Sequence, residues 1–115
     1  MKLVTYVAGQ GAARAGVVHA GSVYPVGLAD MLALIEGGTT ALAAAAEAAG
    51  GGAEPLALRD VQLLAPVPRP PRIFGIGLNY AEHAAESRMD VKTVPTVILK
   101  LSSSVVGPGA AVVLP

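Results

Sequence analysis

Cysteine is absent from this 115-residue chain. That excludes disulfides, thiolate metal sites and a cysteine nucleophile, and it suits a reducing compartment such as the cytoplasm. A surplus of charge is missing too: Lys and Arg number 8 and Asp and Glu number 8, so the formal net charge is zero. With no basic excess to neutralise phosphates, general nucleic-acid binding is not expected. No stretch approaches the ~20 apolar residues that a membrane span needs. The apolar content is Ala, Val and Leu spread along the chain. After Lys2 comes Leu3-Val4-Thr5-Tyr6, a strand-like run and not the apolar segment of a signal peptide. The length suffices for one ordinary domain with one core.

Read in order, Lys2 to Ala8 predicts a strand, with Leu3, Thr5 and Val7 on one side and Val4 and Tyr6 on the other. Gly9-Gln10-Gly11 marks a turn. Ala15 to Ala20 predicts a second strand, and Gly21-Ser22 a tight turn into Val23-Tyr24-Pro25-Val26. Pro25 should end that third strand or hold it at an edge. His19 has no partner at metal-ligand spacing and reads as an ordinary strand histidine. Leu28 to Glu36 predicts a helix whose stripe is Leu28, Met31, Leu32 and Ile35. Gly37-Gly38 ends it. Thr39 or Thr40 can cap a second helix, Ala41 to Ala49, which can pack closely but buries little area. Val61 to Leu64 predicts a strand. Pro66, Pro68, Pro70 and Pro71 then make an extended crossing, better read as a stiff linker than as a ligand for a proline-reading module.

Chemistry concentrates in Arg72-Ile73-Phe74-Gly75-Ile76-Gly77-Leu78-Asn79-Tyr80-Ala81-Glu82-His83-Ala84-Ala85-Glu86. Ile73 to Ile76 predicts a short strand. Gly75 and Gly77 leave no side chain at alternate positions, so another backbone or a ligand could approach there. Asn79 is a candidate N-cap, with Glu82 placed to close a capping box. On the helix that follows, His83 and Glu86 share a face. A neutral imidazole is a base near neutral pH, and a carboxylate beside it can fix its tautomer. Taken alone, such a pair is more often a surface ion pair than a catalytic dyad. Gly75-x-Gly77-x-x-Tyr80 lacks the third glycine of a dinucleotide fingerprint. Farther on, Thr96 to Leu101 predicts a strand, followed by Ser102-Ser103-Ser104 and Gly107-Pro108-Gly109 as loop. Ala111 to Leu114 predicts the start of another strand.

The order Gly75-Ile76-Gly77-Leu78-Asn79-Tyr80-x-x-His83-x-x-Glu86, Pro95-x-Val97-Ile98-Leu99-Lys100-x-Ser102-Ser103-Ser104, Gly107-Pro108-Gly109 and Val112-Val113-Leu114-Pro115 resembles the opening of the catalytic domain of the fumarylacetoacetate hydrolase family. The segment from Met1-Lys2-Leu3-Val4-Thr5-Tyr6 onward resembles, more loosely, the small N-terminal domain of many bacterial members. The resemblance implies an α+β chain. It places a small strand–helix domain at 1–65, a proline-rich linker at 66–72, and the incomplete start of a mixed β-roll at 73–115. It implies that the chain is the N-terminal part of a longer protein.

The family's chemistry acts on β-diketo and 2-oxo acids, by hydrolysis of a carbon–carbon bond or by isomerisation or decarboxylation. The resemblance makes His83 the catalytic base and Glu86 its orienting partner. It makes Asn79, Tyr80 and Lys100 substrate-binding candidates, with a solvated strand-end lysine as the other reading of Lys100. It makes Ser87 to Val94 part of a mobile lid. It implies Mg²⁺ or Mn²⁺, with Ca²⁺ a third candidate, to stabilise a developing enolate. The family's Glu-x-Glu ligands do not occur among the 8 carboxylates here, so no residue of this chain is assigned to the metal. The implied partners are a small oxo-acid substrate and a second copy in a homodimer, with neither nucleic acid nor membrane. The competing reading is a truncated, non-catalytic scaffold or dimerisation module of the same family.

Overall fold

A computed structural model describes residues 1–52, 54–77, 85–86 and 94–114. The chain is α+β and divides into two compact units, Met1–Pro68 with Val106–Pro115, and Arg69–Val105. The first unit holds a five-stranded antiparallel sheet. Its strands are β1 (Lys2–Ala8), β2 (Arg14–His19), β3 (Ser22–Pro25), β4 (Leu56–Ala57) and β5 (Val61–Leu64), in the order β4-β3-β2-β1-β5. Two helices, α1 (Met31–Glu36) and α2 (Gly38–Glu47), fall between β3 and β4.

β1 has a paired neighbour on each side, with Leu3 opposite Val17 of β2 and Tyr6 opposite Leu63 of β5. Its alternation is the expected one, yet Thr5 and Tyr6, on opposite faces, are both buried. The Leu3 face meets the helices. Ala15 and Val17 form the core with Met31, Leu34 and Ala45, and Leu3, Val26, Leu28, Ala41, Ala49 and Val67 pack around it. Thr5 satisfies its buried hydroxyl by donating to the Pro66 carbonyl, which ties the start of the proline-rich crossing to the sheet. On the Tyr6 face, a Cβ on Gly16 would lie 2.8 Å from Val23 and 2.9 Å from the Tyr6 ring. Gly16 therefore makes room for these two buried side chains.

The β2–β3 turn is centred on Ala20 and Gly21, one residue earlier than expected. His19 pairs with Ser22, and both central residues have positive φ, 47° and 79°. A two-residue turn of this kind matches the twist of the flanking strands. Pro25 ends β3: it pairs only toward Gly16, while Ser22 and Val23 also pair with β4. The two-residue β4 was not expected.

The helices correct the sequence reading in two ways. α1 starts at Met31 and not at Leu28, because Asp30 caps it, its carboxylate accepting the Ala33 N–H at 2.9 Å. The buried residues are Met31 and Leu34, whereas Leu32 and Ile35 of the expected stripe are exposed. Both sets satisfy helical periodicity, and the sheet selects one of them. α2 begins at Gly38 with no side-chain cap, so Thr39 and Thr40 lie in its first turn and do not cap it. Gly38, at φ 56°, makes the bend between the helices. Ala41, Ala45 and Ala49 then recur at fourfold spacing toward the core.

The second unit contains a hairpin of β6 (Ile73–Gly77) and β7 (Thr96–Lys100). The strand expected over Ala111 to Leu114 is not formed. Val112, Val113 and Leu114 are exposed and have no strand partner among the described residues. An apolar run does not make a strand where no described strand pairs with it.

Two stability measurements follow from this packing. Leu34→Ala should cost about 2–4 kcal/mol in denaturant unfolding, whereas Ile35→Ala should cost under about 1 kcal/mol. Equal losses would contradict the helix register. Burial raises the Tyr6 phenol above its ordinary value of 10.0, with the nearby Arg14 charge pulling the other way. The unfolded chain therefore ionises this phenol first as pH rises. The stabilisation from the neutral phenol is complete below about pH 10 and is lost as pH climbs through the higher folded value. Thermal unfolding of the native chain and Tyr6→Phe should accordingly differ by a constant amount up to about pH 10, with the native chain losing ground above it.

Candidate functional site

The β6–β7 hairpin positions the candidate site. Its register sets Ile73 opposite Lys100, Phe74 opposite Leu99, Gly75 opposite Ile98, Ile76 opposite Val97 and Gly77 opposite Thr96. Directly opposed residues share a face, so Phe74, Ile76, Val97 and Leu99 form one side of the ribbon. Ile73, Gly75, Gly77, Thr96, Ile98 and Lys100 form the other. The apolar side is exposed, with Phe74 61% and Leu99 63% accessible.

The same register separates two of the candidate positions. The segment carrying Asn79, Tyr80 and His83 leaves β6 at Gly77. Lys100 sits at the opposite end, across from Ile73. Four strand steps of about 3.3 Å put roughly 13 Å between those ends. Asn79, Tyr80, His83 and the capping residue Glu82 lie outside the described residues, as do 87–93 of the expected lid. Glu86 is described: with Ala85 it has helical backbone, and it is exposed. Lys100 is also exposed.

Gly75 and Gly77 do leave open space, and the hairpin does not need it. A Cβ on Gly75 would lie 3.8 Å from Ile98, and one on Gly77 3.6 Å from Thr96. Both are ordinary contacts. Neither glycine has a positive φ.

Around the Lys100 end lies a cleft of about 460 Å³, lined by Pro71, Arg72, Phe74, Leu99, Lys100, Leu101 and Ser102. Arg72 opens the stretch singled out from the sequence, but no role was assigned to it there. Its place in a cleft depends on the β6–β7 register, which no local pattern announces. A second cleft, of about 340 Å³, lies in the first unit beside exposed His19, with Met1, Lys2 and Gly21 among its lining residues. Among the described residues, no three His, Asp or Glu side chains converge as metal ligands. No helix among them is long and apolar enough to cross a membrane.

Comparison with known proteins gives several relatives. The chain is 37% identical over 100 residues to rat oxaloacetate tautomerase Fahd2a, mitochondrial, and 34% identical over 100 residues to the human mitochondrial oxaloacetate tautomerase FAHD2A. It is 33% identical over 100 residues to fumarylacetoacetate hydrolase domain-containing protein 2 of Pongo abelii. Each alignment covers 87% of this chain and 32% of the relative. The chain thus spans about a third of the length of the curated relatives it matches. No family model matches the chain.

The glycine geometry is testable. Gly75→Ala should leave the melting temperature of the hairpin unit within a few degrees of native, since the added methyl meets only ordinary contacts. A large loss would show that the space beside Gly75 is already filled.

Proposed function

The chain belongs to the fumarylacetoacetate hydrolase family, and from that premise we propose that it is the N-terminal portion of an enzyme acting on 2-oxo and β-diketo acids. The observation that carries the proposal is the homology over 100 residues to proteins named as oxaloacetate tautomerases. Those names favour proton transfer over bond hydrolysis as the reaction. We propose the corresponding keto–enol interconversion as the first activity to test, ahead of acylpyruvate or fumarylacetoacetate hydrolysis and of decarboxylation.

In the proposed reaction a base removes a proton from the carbon next to the oxo group. The electron pair moves into the new carbon–carbon double bond, and the carbonyl electrons move onto oxygen. That oxygen then takes a proton, so the substrate gains and loses one proton overall. His83 is the base in this proposal, because imidazole is the side chain suited to proton abstraction near neutral pH. Glu86 orients the imidazole and balances the imidazolium that forms. Asn79 and Tyr80 follow the glycine-bearing strand and are proposed to contact the oxo acid. Lys100 is placed by the hairpin at the far end and is proposed to act on a carboxylate rather than on the reacting carbon.

The described residues do not assemble a metal site, so no step is assigned to a cation here. We propose that the Mg²⁺ or Mn²⁺ expected of the family, with Ca²⁺ a third candidate, is held in the full-length protein by residues that are not part of this chain. We also propose that the domain division runs 1–65, 66–72 and 73–115, with the last part opening a β-roll. The working protein is proposed to be a homodimer in the cytoplasm that binds neither nucleic acid nor membrane. The term mitochondrial belongs to the names of the relatives.

Decay of enol oxaloacetate, followed by ultraviolet absorbance with the full-length protein and Mg²⁺, tests the proposal. His83→Ala should lower kcat by about 10²–10⁴-fold with a smaller effect on KM, and Glu86→Gln should give a lesser loss. Unchanged turnover in His83→Ala would remove the imidazole from the mechanism. A full-length protein inactive on every oxo acid tried would favour the scaffold reading.

A further inference from the structure

We propose that the two chain crossings between the first unit and the Arg69–Val105 unit are held by one shared clasp at the end of β5, so that they loosen together in a single local opening. The chain leaves the first unit after Pro68 and re-enters it at Val106. The second unit is therefore an insertion with an outgoing and a returning stem. The contacts that hold the two stems all lie within the first unit.

The outgoing stem is held from β1. Thr5 lies opposite Leu64, the last residue of β5. Its buried hydroxyl reaches past that pair and donates to the Pro66 carbonyl. This bond is costly to lose, because the hydroxyl has been taken out of water. Val67, the next residue, packs against the core under the helices. The returning stem is held at Gly107. A Cβ there would lie 3.3 Å from the Leu63 carbonyl oxygen, 3.3 Å from the Leu64 Cα and 3.5 Å from the Ala65 nitrogen. All three are backbone atoms, which cannot swing aside as the tip of a side chain can. Gly107 does not have a positive φ, so the closeness of two backbones, and not turn geometry, is what favours glycine here. The Ala110 N–H donates to the Gly107 carbonyl at 3.2 Å and closes a turn directly on this contact.

Both holds thus fall on the segment from Leu63 to Pro66, and Leu64 belongs to each. Thr5 pairs with it, and Gly107 backs onto it. A shift of this segment that breaks one hold removes the surface that the other uses. Pro66, Pro68 and Pro108 fix φ along the two stems, which leaves few ways for either to fray alone. The inference does not depend on the catalytic reading.

Hydrogen exchange followed by NMR on the isotope-labelled full chain, in low denaturant, tests the clasp. The Val67 and Ala110 amides should share one opening equilibrium and one denaturant dependence, both smaller than those of Val17 in the core. Thr5→Val keeps the branched shape and removes the hydroxyl. It should speed exchange about fivefold at Ala110 as well as at Val67, although Thr5 bonds to the outgoing stem. Thr5→Ser should leave both amides close to native exchange. Gly107→Ala should act in the converse direction, speeding Val67 along with Ala110. Separate opening equilibria for Val67 and Ala110 in the unsubstituted chain, which needs no variant to fold, would overturn the proposal. A Thr5→Val effect confined to Val67 would do the same. So would an equal effect at Val17, which would reduce Thr5 to a contributor to overall stability.

Discussion

Antiparallel register is the constraint on which the rest of this chain depends. Once two backbones pair, side chains alternate faces and every residue acquires a fixed opposite number. In the first unit this places Leu3, Val17 and Tyr24 in one cross-strand row, and the helices close over that face. In the second unit it sets Gly77 and Lys100 at opposite ends of one ribbon. A slip of one residue would exchange the faces and turn the Phe74 row to the Lys100 side.

The first unit is a support with a small core. Five residues form that core, two from β2 and three from the helices. Alanine allows α2 to approach the sheet closely, so the helix adds shape more than buried area. The sheet gains from β1, which is paired along both edges and covered on both faces at Thr5 and Tyr6. Gly16 and Thr5 each meet a specific need of that arrangement, room for Tyr6 in one case and a bonded hydroxyl in the other.

The second unit has the opposite character. All five residues of β7 are exposed, and large apolar side chains stand uncovered along it. Those side chains confer little stability within this unit, because burial and not apolarity is what stabilises. Arg72 and Lys100 lie at one end of this ribbon, Lys100 on the face opposite Phe74 and Leu99.

Local chemistry by itself determined much. Period-two alternation placed β1, and short apolar runs placed β5, β6 and β7, each within a residue at either end, while the α+β class came with the family resemblance. The order of residue types from Gly75 to Glu86, with Pro95 to Ser104 and Gly107 to Gly109, carried a resemblance to the family that the relatives then supported. Partners in space were decided only by tertiary structure. Met31 and Leu34, rather than Leu32 and Ile35, went inward because the sheet lies on one side of α1. Val112 to Leu114 formed no strand, and no described strand pairs with them. Arg72 joined Lys100 at one cleft only through a pairing between segments more than twenty residues apart. Periodicity reports which residues can share a face, and only the neighbouring chain decides which face is buried.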